Sequence, residues 1–115
     1  MANTFKLASK AVVTSADVIY TVASSTTTIV LGLMIGNTTT SQITVTVSLV
    51  SDTSNRTNAN DEANQTVELV TNAPIPAGSS LELLAGNKVV METTDTLSLA
   101  ASGAADIALS IMEIT

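Results

Sequence analysis

Apolar and polar residues alternate along much of this chain with a period of two, and the main departure is Thr28-Ile29-Val30-Leu31-Gly32-Leu33-Met34-Ile35-Gly36. A continuous aliphatic and β-branched run of this length, opened by threonines and closed by Gly36-Asn37, predicts a strand buried on both faces. Successive strand residues point to opposite sides, so Ile29, Leu31, Leu33 and Ile35 are expected on one face and Val30, Gly32 and Met34 on the other. Each set needs a cover. One is the core of a sandwich; the other is a second layer of the same chain or a neighbouring subunit.

The remaining strands follow from shorter patterns. Asn3 to Ser9 sets Phe5 and Leu7 against Thr4, Lys6 and Ala8, a half-buried alternation, and Val18 to Val22 has strong strand propensity. Gln42 to Val50 alternates cleanly, with Ile43, Val45, Val47 and Leu49 inward and Thr44, Thr46 and Ser48 outward, and reads as the antiparallel hairpin partner of the spine. Ser51 to Asn64 is polar and Asn-rich, which predicts a long exposed loop. Gln65 to Asn72 resumes strand character before Ala73-Pro74-Ile75-Pro76-Ala77-Gly78, where two prolines require a turn or an edge. Ser80 to Leu84 and Lys88 to Glu92 read as a second hairpin, reversing at Ala85-Gly86-Asn87 with Gly86 or Asn87 at positive φ. Asp95 to Ala100 and Asp106 to Ile114 close the chain, with Ile107, Leu109 and Ile111 sharing a face. About eight or nine strands without a helix predict an all-β fold, an antiparallel sandwich of immunoglobulin-like or jelly-roll-like type.

Composition narrows the function more than the fold. The 115 residues suit one domain spanning 1–115. Hydrophobic residues make up 45% but aromatics 2%, with Phe5 and Tyr20 the sole examples, so the core is aliphatic. A net charge of −6, with Lys6, Lys10, Arg56 and Lys88 scattered, argues against nucleic acid as a partner. The apolar run is shorter than the ~20 residues of a spanning helix, and the start of the chain lacks a signal-peptide core. A soluble protein made in a cytoplasm, with no membrane partner, is expected.

Candidate chemistry is sparse. With no histidine or cysteine, most zinc sites and the common nucleophile–base pairs are missing, and no serine sits in a Gly-x-Ser-x-Gly setting. The chain is read as a non-enzyme with no small-molecule substrate, and no catalytic, cofactor-binding or metal residue is assigned. Asp61-Glu62, with Asp52, Asn58 and Asn60, offers oxygen ligands of the type calcium takes, but the spacing departs from the EF-hand pattern and reads as a solvated loop. Glu92 and Asp95 flank a turn in which Asp95 caps backbone amides. Asn37, Asn55 and Asn64 begin glycosylation sequons. Met34, Met91 and Met112 are candidates for an adaptable contact patch. Rows of outward Thr and Ser make a low-charge surface suited to packing against other subunits.

One resemblance rests on Ala73-Pro74-Ile75-Pro76-Ala77-Gly78-Ser79-Ser80-Leu81-Glu82-Leu83, then Asn87-Lys88-Val89-Val90-Met91-Glu92 and Asp95-Thr96-Leu97-Ser98-Leu99. With the opening Met-Ala-Asn-Thr-Phe-Lys-Leu and the segment Val18 to Val22, the chain resembles small virion structural proteins of tailed bacteriophages of marine bacteria and cyanobacteria. Thr93-Thr94 stand where that group is expected to place a Gly before Asp95, and the 51–64 loop is longer. The resemblance implies a β-sandwich component of the particle. The leading expectation is a capsid decoration, or cement, protein on the outer capsid surface, with the major capsid protein and other copies of itself as partners. A neck, collar or tail-fibre component, or a host-surface-binding module, is the alternative.

Overall fold

Valine, isoleucine and threonine dominate the patterned segments, and each of those segments is a strand in the computed structural model, which describes residues 2–51, 64–84 and 87–115. The polar segment with the candidate calcium ligands Asp52, Asn58, Asn60, Asp61 and Glu62 lies outside the described residues, as do Ala85 and Gly86. Nine strands follow in order: β1 (Asn3–Val13), β2 (Asp17–Thr21), β3 (Thr27–Asn37), β4 (Ile43–Ser51), β5 (Gln65–Ile75), β6 (Ser80–Leu83), β7 (Val89–Met91), β8 (Thr96–Ala101) and β9 (Ala105–Ile114). No described residue is helical.

The strands form two antiparallel sheets packed as a sandwich. One runs β1-β9-β3-β6, with β7 also on β3, and the other runs β2-β8-β4-β5. The pairing is nested, first strand with last: β1 with β9, β2 with β8, β3 with β6 and β7, β4 with β5. A long hairpin rolled up on itself gives this order, which makes the sandwich a jelly roll rather than the ABED/CFG immunoglobulin arrangement.

Two expected hairpins are absent. β4 does not pair with the spine β3; it lies in the other sheet between β8 and β5, so residues 38–42 are a crossing connection between layers. β6 and β7 do not pair with each other either. Both run antiparallel to β3, β6 along Leu33–Gly36 and β7 along Thr28–Val30, as one interrupted strand. Leu84 has a positive φ of 61°, Asn87 does not, and Gly86, the other position expected to have one, lies outside the described residues. Alternation predicts strands and faces but carries no information about which strand is the neighbour.

The core is aliphatic, as composition requires, and includes Val30, Leu33, Ile35, Val45, Val47, Leu97, Leu99, Leu109 and Ile111. Of the expected inward set of β4, Ile43, Val45 and Val47 are buried and Leu49 is half-buried, and along β9 Ile107, Leu109 and Ile111 are buried. β3 departs from strict alternation. Val30 pairs with Ile111 and Gly32 with Ser110, so Leu31 is an extra residue in a bulge. The bulge resets the phase: Thr28 and Val30 before it and Leu33, Ile35 and Asn37 after it all face the core. Ile29 and Met34 therefore share the opposite face, against the expected grouping, and that face is not buried.

Candidate docking face

Residues directly opposite each other in neighbouring strands share a side of the sheet, so the ladder registers define the outer wall of the five-stranded sheet row by row. Phe5, Met112, Ile29 and Val90 make one row; Leu7, Ser110 and Gly32 the next; Ser9, Ala108, Met34 and Glu82 the third; Asp106, Gly36 and Ser80 the fourth. Phe5 and Leu7 of β1 thus point away from the core, whereas Val13 at the end of the strand is buried in it. Phe5 is 73% exposed, Leu7 68%, Val90 62% and Met34 49%. This corrects the half-buried reading of Phe5 and Leu7, for a physical reason. The inner side of β1 lies over polar neighbours, where Lys6 reaches Glu113 at 3.0 Å and Lys10 pairs with Asp17.

The opposite wall has different chemistry. There the rows are Thr21, Thr96, Val50 and Thr66, then Val18, Ser98, Ser48 and Glu68. The Thr- and Ser-rich surface foreseen in the sequence is this wall alone. Hydroxyl groups keep one side wet while the other is largely apolar and small in its middle, where Gly32, Gly36, Ala108 and Ser110 leave shallow hollows beside Met34.

The sheet edges are guarded. β5 carries Pro74 and two register shifts, β2 is five residues long, and β6 and β7 are short and interrupted. β1 is the longest regular edge, and it turns Lys6 and Lys10 to its inner side, a charge placement that discourages strand addition.

Electrostatics centre on Glu113. Tyr20 Oη donates to its Oε2 at 2.6 Å, and Lys6 Nζ lies 3.0 Å from its Oε1. These donors, Tyr20 foremost, hold the carboxyl below the usual carboxylate range. Burial, then the bond to Glu113, pushes the Tyr20 phenol up to about 12. No chemistry follows from this cluster: it is a strut between sheets.

The other residues singled out from sequence disperse. Met34 and Met112 lie on the apolar wall, whereas Met91 is buried in the core. Asn37 is buried with its amide fully engaged, which leaves no acceptor nitrogen for a glycan. Asp95 caps the turn as expected, its Oδ2 accepting from Glu92 N at 3.0 Å. Among the described residues no three His, Cys, Asp or Glu side chains are grouped to hold a metal, and no helix is long and apolar enough to cross a membrane. Sequence reasoning missed the Phe5–Leu7 face; its signal was the lysines alternating with those residues.

No protein-family model matches the chain, and no curated protein sequence is detectably similar. Solved structures are similar in fold. A chain from the structure of infectious bursal disease virus Gx strain matches with TM-score 0.51 at 12% identity over 97% of this chain. This chain spans a third of that one, at 33% of its length. A chain from work on Bacillus endospore appendages, a family of disulfide-linked pili, matches with TM-score 0.49 at 15% identity, covering 97% of this chain and 84% of that one. At such identities the likeness is one of fold.

Proposed function

We propose that this protein is a structural subunit of a virus particle, and that its place is on the outside of a phage head, as a decoration protein that binds the capsid lattice in many copies. The observation that carries the reading is the contrast between the two walls of the sandwich. A largely apolar face including Phe5, Leu7, Met34 and Val90 stands exposed opposite a Thr- and Ser-rich one. Large exposed apolar patches mark surfaces that are covered in the working assembly. A jelly roll is an architecture used in viral shells, and the motif resemblance to small phage virion proteins points the same way. The role is adhesive: each bound copy stabilises the assembled lattice it recognises, and many modest contacts add up.

Quantitative mass spectrometry of purified virions tests this directly. The expected result is a copy number in simple ratio to the major capsid protein. A few copies per particle would assign the chain to the neck or tail instead. Absence from particles would overturn the virion reading.

A further inference from the structure

We infer that the aliphatic wall is covered by the same wall of a second copy of this chain, so that the protein is a two-fold symmetric dimer packed sheet on sheet. The inference rests on the structural-subunit reading above and names the partner of that face.

Four features of the molecule support it. First, β3 is apolar on both sides, yet among the described residues no second layer of the chain lies over Met34, Gly32 and Ile29. Second, the size fits. Three long strands, β1, β9 and β3, with the short β6 and β7 end to end beside them, give at about 4.8 Å between strands and about 3.3 Å per residue a wall of roughly 19 by 35 Å, or about 650 Å². This lies at the lower end of the roughly 600–1,000 Å² that a stable interface takes from each partner. Third, the registers let the wall pair with itself. A two-fold axis along the strands lays β1 over the opposite margin and β9 over β3, bringing Phe5 of one copy over Val90 of the other, Met112 over Ile29 and the long Met34 over the small Ala108. Two sheets pack in this aligned way with interdigitating side chains, and an isologous contact pairs one patch with itself. Fourth, the inward lysines of β1 discourage pairing through the edge, which leaves the face as the route of association. The two acids of the wall, Glu82 and Asp106, lie toward one end, so the contact centres on the uncharged end at Phe5, Met112, Ile29 and Val90.

The test is the mass of the full chain in solution, by sedimentation equilibrium across the micromolar range. The expected result is a dimer. Phe5→Asp with Leu7→Asp should weaken it on the order of 30-fold or more, since two apolar contacts are replaced by two carboxylates. Both side chains are exposed in the monomer, so the far-ultraviolet circular dichroism should not change. Val18→Asp, on the opposite wall, should leave the dimer intact. Because the chain has no cysteine, a Phe5→Cys, Val90→Cys variant should give a covalent dimer on oxidation. A wild-type monomer at several hundred micromolar would overturn the inference, as would a dimer broken by Val18→Asp but not by the Phe5 and Leu7 changes. If the monomer is still abundant in virions, the structural-subunit reading survives and the wall belongs to another partner. A dimer missing from virions keeps this inference and removes the virion reading.

Discussion

Tyr20 and Glu113 are 93 residues apart in sequence, and the 2.6 Å hydrogen bond from the Tyr20 phenol to the Glu113 carboxylate ties the two sheets together. The phenol has one proton, given to Glu113, so it accepts from the Thr28 hydroxyl, 2.7 Å away. With Lys6 on the other carboxylate oxygen, the cluster links β1, β2, β3 and β9. A hydrogen bond to a charged group contributes about 2 kcal/mol. Tyr20→Phe keeps the ring and removes the bond, and should lower the melting temperature by roughly 10 °C, measured by circular dichroism.

The same pair gives stability two pH limits. The folded state holds the Tyr20 phenol neutral up to about 12. Its contribution is complete below the ordinary tyrosine value near 10 and is lost as pH rises from there through the folded value. Glu113 is shifted down, so its contribution is complete above the ordinary glutamate value and is lost as pH falls through the lower folded one. Denaturant midpoints against pH should show both limbs. Glu113→Gln should flatten the acid limb, and Tyr20→Phe should remove the alkaline one between about 10 and 12.

Thr94 occupies the position where the resemblance calls for glycine, and its φ is 70°. The Asp95 amide donates to Glu92 O at 3.0 Å, closing a turn with Thr94 third. A positive φ there is the type II pattern that glycine suits, and the left-handed region costs a β-branched residue about 1 kcal/mol or more. Thr94→Gly should therefore stabilise the protein and raise the melting temperature by roughly 4 °C.

Gly103 tests the opposite case. It lies between β8 and β9, where the chain crosses between sheets, and an added Cβ would meet Ile43 Cγ2 at 2.7 Å. Ile43 is β-branched and buried in the core, with little freedom to yield. Gly103→Ala should cost about 1–3 kcal/mol, seen as a lower urea midpoint with unchanged slope.

Asn37 ends the spine strand as a buried clasp. Its amide nitrogen donates to Ser41 O at 2.8 Å and Ile75 O at 2.9 Å, and its side-chain oxygen accepts from Thr39 N at 2.9 Å. Removing it leaves buried carbonyl and amide groups without partners. Asn37→Ala should cost about 3 kcal/mol, and chemical denaturation should show it as one of the more damaging single changes.

The sequence by itself determined the all-β class, the aliphatic core and the inward sets of β4 and β9, because a period of two is a local property that each strand carries alone. It also determined the turn at Asp95 and that Pro74 sits at a turn or an edge, since both follow from the bonding capacity of single residues; the sheet order made it an edge. Tertiary structure decided the rest. The bulge at Leu31 moved Val30 onto the same side as Leu33 and Ile35, because one unpaired residue reverses every side chain beyond it. Nested pairing placed β4 in the second sheet and left β6 and β7 as separate partners of β3, since neighbours are chosen by long-range contacts that periodicity does not encode. The outward turn of Phe5 and Leu7 was decided in the same way. Alternation says that two faces differ, but which face meets the core depends on what lies across from it, and for β1 that is Glu113 and Asp17 with the lysines that pair with them.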